Sequence, residues 1–172
     1  HILFIFGLLF CISGLVNIIK TITAFTIAHS ITLGLSVFNI ISLPQATVEA
    51  LIALTIVYLA LEISKSNLKL KTPWMMAFGF GLLHGLGFAS ALMDIGIANN
   101  QMFLSLLFFN IGIELAQIVL IPIPLFFIYL SKRFDLSNHL KILTSYSIGG
   151  MGFYWFIAVS YTHLTLPTIC SV

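Results

Sequence analysis

The sequence predicts an all-α fold, a polytopic membrane helix bundle of about six transmembrane helices. Three observations carry this expectation. The chain is 60% hydrophobic and 7% charged, with a mean hydropathy of +1.14. Its apolar residues fall into six long runs with short connectors between them, and all seven basic residues lie in alternate connectors. Soluble domains carry roughly 25% charged residues. A soluble fold of 172 residues could not hide this much apolar surface, so lipid must solvate most of it.

The runs cover about 2–19, 21–42, 46–64, 74–94, 103–130 and 144–161. Each reaches the roughly 20 residues that cross about 30 Å of hydrocarbon. The first follows neither an initiator Met nor a basic segment, and no small-residue cleavage site succeeds it. It therefore reads as a helix and not as a signal peptide, and its abrupt start suggests that an N-terminal piece is missing. The fifth contains Pro122 and Pro124, which predict a kink or an early exit near its inner end. The transmembrane domain is set at 1–159. The segment 160–172, with Thr162, His163, Thr165, Pro167 and Thr168, is read as a tail that cannot continue a helix, either a short outer tail or a segment foreign to the fold. His163 is left out of the site on that ground.

Lys20 falls in the first connector, Lys65, Lys69 and Lys71 in the third, and Lys132, Arg133 and Lys141 in the fifth. The second and fourth connectors have none. The positive-inside rule makes the basic side cytoplasmic. Both ends of the chain then face outward, with Pro44 and Asn99 on the outer side, and the expected location is a bacterial inner membrane. The cysteines, Cys11 and Cys170, lack metal-type spacing. No G-x-x-x-x-G-K-[ST] loop is present, so the chain carries no ATP site of that kind. No nucleic-acid partner is expected.

A charge at the centre of a bilayer costs roughly 2.5–3.5 kcal/mol on insertion scales, so ionisable residues there usually face a cavity or a partner. The second run holds His29 and the fourth His84. Glu49 and Glu62 lie near the outer and inner ends of the third, and Glu114 midway along the fifth. Asp94 and His1 sit at outer ends. Thr26, His29, Ser30 and Leu33 share one helical face, as do Asn110, Glu114 and Gln117. Gly81 and Gly85 flank His84 and predict close approach of another helix. Imidazole and carboxylate suit divalent first-row metals. His29, His84, Glu114, Glu49 and His1 are the candidate metal ligands. Asn110, Gln117, Ser30 and Thr26 are candidates for orienting them. His29, His84 and Glu114 all fall near mid-membrane by residue count, so they are expected to converge.

The blander readings are specific. Either histidine can serve as an interhelical hydrogen-bond partner. Glu62 lies close to Lys65 and reads as solvated at the interface, and Asp94 as a helix end. Met75, Met76 and Met93 read as core or lipid-facing residues.

At this point the chain resembles a known family. Ala24-Phe25-Thr26-Ile27-Ala28-His29-Ser30-Ile31-Thr32-Leu33 is similar to the A-F-T-x-A-H-S-x-T-L motif of the HupE/UreJ family of hydrogenase and urease accessory membrane proteins. Phe80-Gly81-Leu82-Leu83-His84-Gly85-Leu86-Gly87-Phe88-Ala89 resembles its G-L-x-H-G-x-G-F-A motif. Phe109-Asn110-Ile111-Gly112-Ile113-Glu114-Leu115-Ala116-Gln117 resembles F-N-x-G-x-E-x-x-Q. Val48-Glu49-Ala50-Leu51-Ile52-Ala53-Leu54, Ala60-Leu61-Glu62 and Gly152-Phe153-Tyr154-Trp155-Phe156 resemble its third and last helices. The resemblance runs from about residue 1 to 157. The family's first helix opens with an Asp-His pair, of which His1 matches the second half and the Asp is absent.

The resemblance implies permeation of nickel or cobalt into the cytoplasm for metalloenzyme maturation. Ni2+ or Co2+ would be the transported ion, with no permanently bound cofactor. Partners would be membrane lipid, the ion and a downstream metallochaperone. An intramembrane hydrolase is the alternative. A serine type would use Ser30 or Ser90 with His84, but neither G-x-S-G nor G-x-S-x-G is present. A zinc type would place a metal and a water among His29, His84 and Glu114. The expectation is a transporter and not an enzyme.

Overall fold

The computed structural model describes residues 2–65, 72–94 and 101–169, with side chains at 89–94, 102 and 163–169 left out. The described chain is helical throughout, in the order α1 (Ile2–Cys11), α2 (Leu15–Val37), α3 (Gln45–Ser64), α4 (Pro73–Asp94), α5 (Met102–Leu120), α6 (Pro122–Arg133) and α7 (Ser137–Ile169). No strand occurs among the described residues. Four stretches are long and apolar enough to cross a membrane: Leu15–Val37, Gln45–Ser64, Phe103–Arg133 and Ser137–Thr162. The 22 residues of α4 extend roughly 33 Å, enough for the same crossing. The expected helical membrane bundle is thus present, although the first run does not form one spanning helix.

The boundaries differ from the expected ones in instructive ways. The first run breaks at Gly14 and not at Lys20. Gly14 has φ +91°, a conformation that a side chain would oppose. Lys20 consequently lies inside α2, with its ammonium 4.9 Å from the centre of the Trp74 ring at the start of α4. A lysine can reach the interface from within a helix, so it need not mark a helix end. The ten residues of α1 cover roughly 15 Å, half of the hydrocarbon core. α2 stops at Val37 because Asn39 takes a left-handed conformation (φ 57°) and the chain turns.

The fifth run divides at Ile121, where Pro122 opens α6, as the prolines predict. Ile121 N–H still donates to Gln117 O (2.8 Å), so the two helices form one continuous span. α7 corrects two expectations. It starts at Ser137, seven residues early, after a turn at Asp135 (φ 55°). It also continues through the tail to Ile169. Polar residues do not end it, because a threonine can bond back to its own helix: Thr162 Oγ1 donates to Ala158 O at 3.0 Å.

Two helix pairs build the bundle. α2 packs along α4, α3 packs along α7, and α3 and α4 join the pairs. Glycines explain the closeness. A Cβ on Gly81 would meet Phe25 O and Ala28, and one on Gly85 would collide with Thr32 Oγ1 and His29 O. These positions let the α2 and α4 backbones touch. Gly87 faces Ile52 of α3, so α4 contacts two neighbours along this stretch, as expected for a central helix. Gly149 and Gly152 of α7 make room for the Ala60 and Ile56 side chains of α3. α1 wedges in through Phe4, which is fully buried beside Phe25, Phe80 and His84.

The helix directions sort the charges. Lys20 beside Trp74 puts the starts of α2 and α4 at one end. Gln45, opening α3, donates to Gly87 O near the far end of α4 (3.1 Å), so α3 runs the other way. Ser145, early in α7, donates to Ala60 O, late in α3 (2.7 Å), which turns α7 back again. Lys20, Lys65, Lys132, Arg133 and Lys141 therefore share one end of the bundle, while Lys69 and Lys71 lie outside the described residues.

Candidate functional site

The site grows from the α2–α4 seam. The glycines that bring these helices together flank His84, and the carbonyl of His29 is one of the atoms Gly85 approaches. Both histidines have no solvent exposure. Phe25 packs against both, its ring centre 5.4 Å from that of His84 and 6.3 Å from that of His29. Phe4 of α1 closes the cluster at 5.0 Å from His84, and Phe88 at 5.7 Å from His29. Two imidazoles are thus enclosed by aromatic rings contributed by α1, α2 and α4.

α3 supplies the polar contact to His84. Thr55 Oγ1 lies 3.1 Å from His84 Nε2 and donates its own proton to Ile52 O at 2.7 Å. Toward the opposite end from the basic residues, Gln45 Nε2 donates to Glu49 Oε1 (2.7 Å) and to Gly87 O. Glu49 is half-buried there.

Glu114 does not join the histidines. It is exposed on α5, and no group of three or more His, Cys, Asp or Glu able to hold a metal occurs among the described residues. The expected three-way convergence is corrected on this point, for a reason of helical phase. α5 packs on α2 through Asn110 and Gln117. Ser30 Oγ lies 2.8 Å from Asn110 Oδ1, and Thr26 Oγ1 3.4 Å from Gln117 Oε1. Equal depth put Glu114 level with the histidines, but at about 100° per residue it stands some 60° around the helix from Gln117. That turns it to the open flank. Asn110, Gln117, Ser30 and Thr26 form a polar seam beside His29. Gln117 Nε2 is buried without a hydrogen-bond partner among the described residues. Turning that amide over would let it donate to Thr26, whose hydroxyl would keep its bond to Ile22 O.

Glu62 also differs from expectation. It does pair with Lys65 (2.9 Å), yet its carboxylate is buried and only the lysine is solvated. The hydrogen bond that Lys65 donates to Glu62, then the charge of Glu62, hold the Lys65 ammonium above the usual lysine range. His1 and the side chains of Asp94 and His163 lie outside the described residues.

Sequence reasoning missed Thr55, Phe4, Phe25 and Phe88. Phe25 precedes His29 by four residues, and Phe80 and Phe88 flank His84 by four. That i, i+4 spacing was a readable signal of shared faces. Thr55, a buried hydroxyl in an apolar run, offered a weaker one.

The fold and the site define an α-helical, multi-pass membrane protein with an intramembrane histidine pair. The family model described as HupE / UreJ protein matches residues 1–159, and the chain belongs to that family. This places it among the hydrogenase and urease accessory membrane proteins, a family associated with nickel and cobalt. No curated protein and no solved structure matches the chain.

Proposed function

We propose that this protein is a permease that carries nickel or cobalt across the inner membrane into the cytoplasm, toward a metallochaperone and metalloenzyme maturation. The observation that carries this reading is the pair of fully buried imidazoles on the closest-packed helix pair of a HupE/UreJ chain. Placing two imidazoles in the membrane costs free energy that packing alone does not require, and imidazole nitrogen is a good ligand for Ni2+ and Co2+.

In this reading Glu49 and Gln45 receive the ion on the outer side. His84 and His29 then form the mid-membrane station. The aromatic enclosure excludes water, so the ion gives up its hydration only where nitrogen ligands replace it. The seam of Thr26, Ser30, Asn110 and Gln117 makes a second polar surface on the other flank of α2, and Glu114 borders it. Glu114 is suited to take up a proton or to hold the ion between steps, because a carboxylate open to one side can exchange either. The basic end faces the cytoplasm and both chain ends face outward.

The test is uptake of Ni2+, Co2+ and Zn2+ into proteoliposomes. Wild-type protein is expected to take up nickel or cobalt. His84→Ala should abolish uptake, and Glu114→Gln should do the same while leaving the protein folded. Wild-type rates in both variants would refute the reading.

A further inference from the structure

We propose that Thr55 is a positioning residue that fixes His84 as its Nε2–H tautomer, leaving the lone pair on Nδ1. The consequence for transport, that Nδ1 is the atom meeting the cargo ion, rests on the permease reading above; the tautomer does not.

The argument is a count of protons. A threonine hydroxyl has one proton to give and can accept as well. Thr55 Oγ1 lies 2.7 Å from Ile52 O and 3.1 Å from His84 Nε2. Ile52 O can only accept, so the shorter contact uses the hydroxyl proton. Oγ1 then faces Nε2 as an acceptor, and the close approach is a hydrogen bond only if Nε2 carries the proton. A neutral imidazole has one N–H, so Nδ1 holds the lone pair.

The geometry is held firmly. Thr55 is buried at 5% exposure, and its branched side chain has few rotamers on a helix. Ile52 O belongs to the same helix and cannot swing away. On the His84 side, the rings of Phe4 and Phe25 pack against the imidazole. Metal-binding histidines generally donate their second ring N–H to an oxygen, which sets the tautomer and the ring direction. Here that oxygen comes from α3, so the hydrogen bond that orients His84 reaches it from the neighbouring helix pair.

The experiment is nitrogen NMR on full-length protein labelled with 15N-histidine in lipid bilayers, with His84 assigned by loss of its signals in His84→Gln. The expected spectrum shows Nε2 protonated and Nδ1 unprotonated at neutral pH without metal. Thr55→Ser keeps the acceptor and should keep that spectrum. Thr55→Val keeps the shape and removes the acceptor, and should move His84 toward the Nδ1–H form or a mixture. A wild-type Nδ1–H tautomer, or an unchanged spectrum in Thr55→Val, would overturn the proposal. Addition of Co2+ separates the two claims. If the tautomer is as expected but Co2+ leaves the His84 signals unchanged, the role of Thr55 stands and the ligand role of His84 falls.

Discussion

Replacing Gly85 with alanine should loosen the bundle at the seam that holds the site. The new Cβ would collide with Thr32 Oγ1 and His29 O and stand 3.0 Å from Leu33 N. Two of these three atoms are α2 backbone, so no side-chain rotation relieves them, and the helices must separate. Overpacking of this kind costs about 1–3 kcal/mol. Alanine also gains about 0.5–1 kcal/mol over glycine as a helix former, which would mask part of the loss. Gly79→Ala is the matched control, because it lies on the same helix and its Cβ would meet nothing within 4 Å. The difference between the two variants isolates the collision at about 1–3 kcal/mol, or roughly 5- to 150-fold in the folding equilibrium. The assay is reversible unfolding in mixed lipid–detergent micelles, followed by far-ultraviolet circular dichroism. Adding Thr32→Ala should not rescue Gly85→Ala, because His29 O remains in place. If Gly85→Ala proves as stable as Gly79→Ala, the close approach of α2 and α4 is not what holds the bundle.

Two further expectations concern the ends of the bundle. In protein lacking Cys11 and Cys170, a cysteine at Pro44 should react with an impermeant reagent on intact cells, and one at Lys141 only after permeabilisation; the reverse pattern would invert the topology. Lys65→Ala should lower thermal stability by leaving the buried Glu62 carboxylate without its ion-pair partner, and adding Glu62→Gln should recover most of the loss. Because the pair raises the lysine's pKa, its contribution is complete at neutral pH and is lost only as pH rises through that raised value. A melting temperature unchanged in Lys65→Ala at pH 7 would show that the pair contributes nothing.

The membrane class, the number of apolar runs and the charge sorting were legible because they depend on composition and order alone. The small-residue seam was legible too, since Gly81 and Gly85 stand one helical turn apart. Helix ends were less so. A left-handed glycine at Gly14 and a lysine that reaches the interface from inside α2 leave no mark in hydropathy. At the site, His29 and His84 were found because burial makes ionisable groups conspicuous. The misplacing of Glu114 has a clear cause. Depth can be counted along a helix, but which way a side chain turns depends on the neighbours that capture the helix. Asn110 and Gln117 do so here. Thr55 was invisible because its meaning lies in a contact between two helices, with a residue 29 positions away in the chain.

The pairing of the helices also bears on how the molecule can deform. Within each pair, glycines bring the helices close, against α2 backbone in one pair and against α3 side chains in the other, so sliding or parting the partners would disrupt those contacts. Between the pairs, the polar ties that cross from α3 to α4 include Gln45 to Gly87 and Thr55 to His84. The protein is mechanically two stiff plates with a softer joint. The two ties sit at different heights along that joint, one toward the Glu49 end and one at the histidines. Opening the joint from one end therefore strains one tie before the other. A hinge of this construction can yield at one face of the membrane while the histidine contact stays closed.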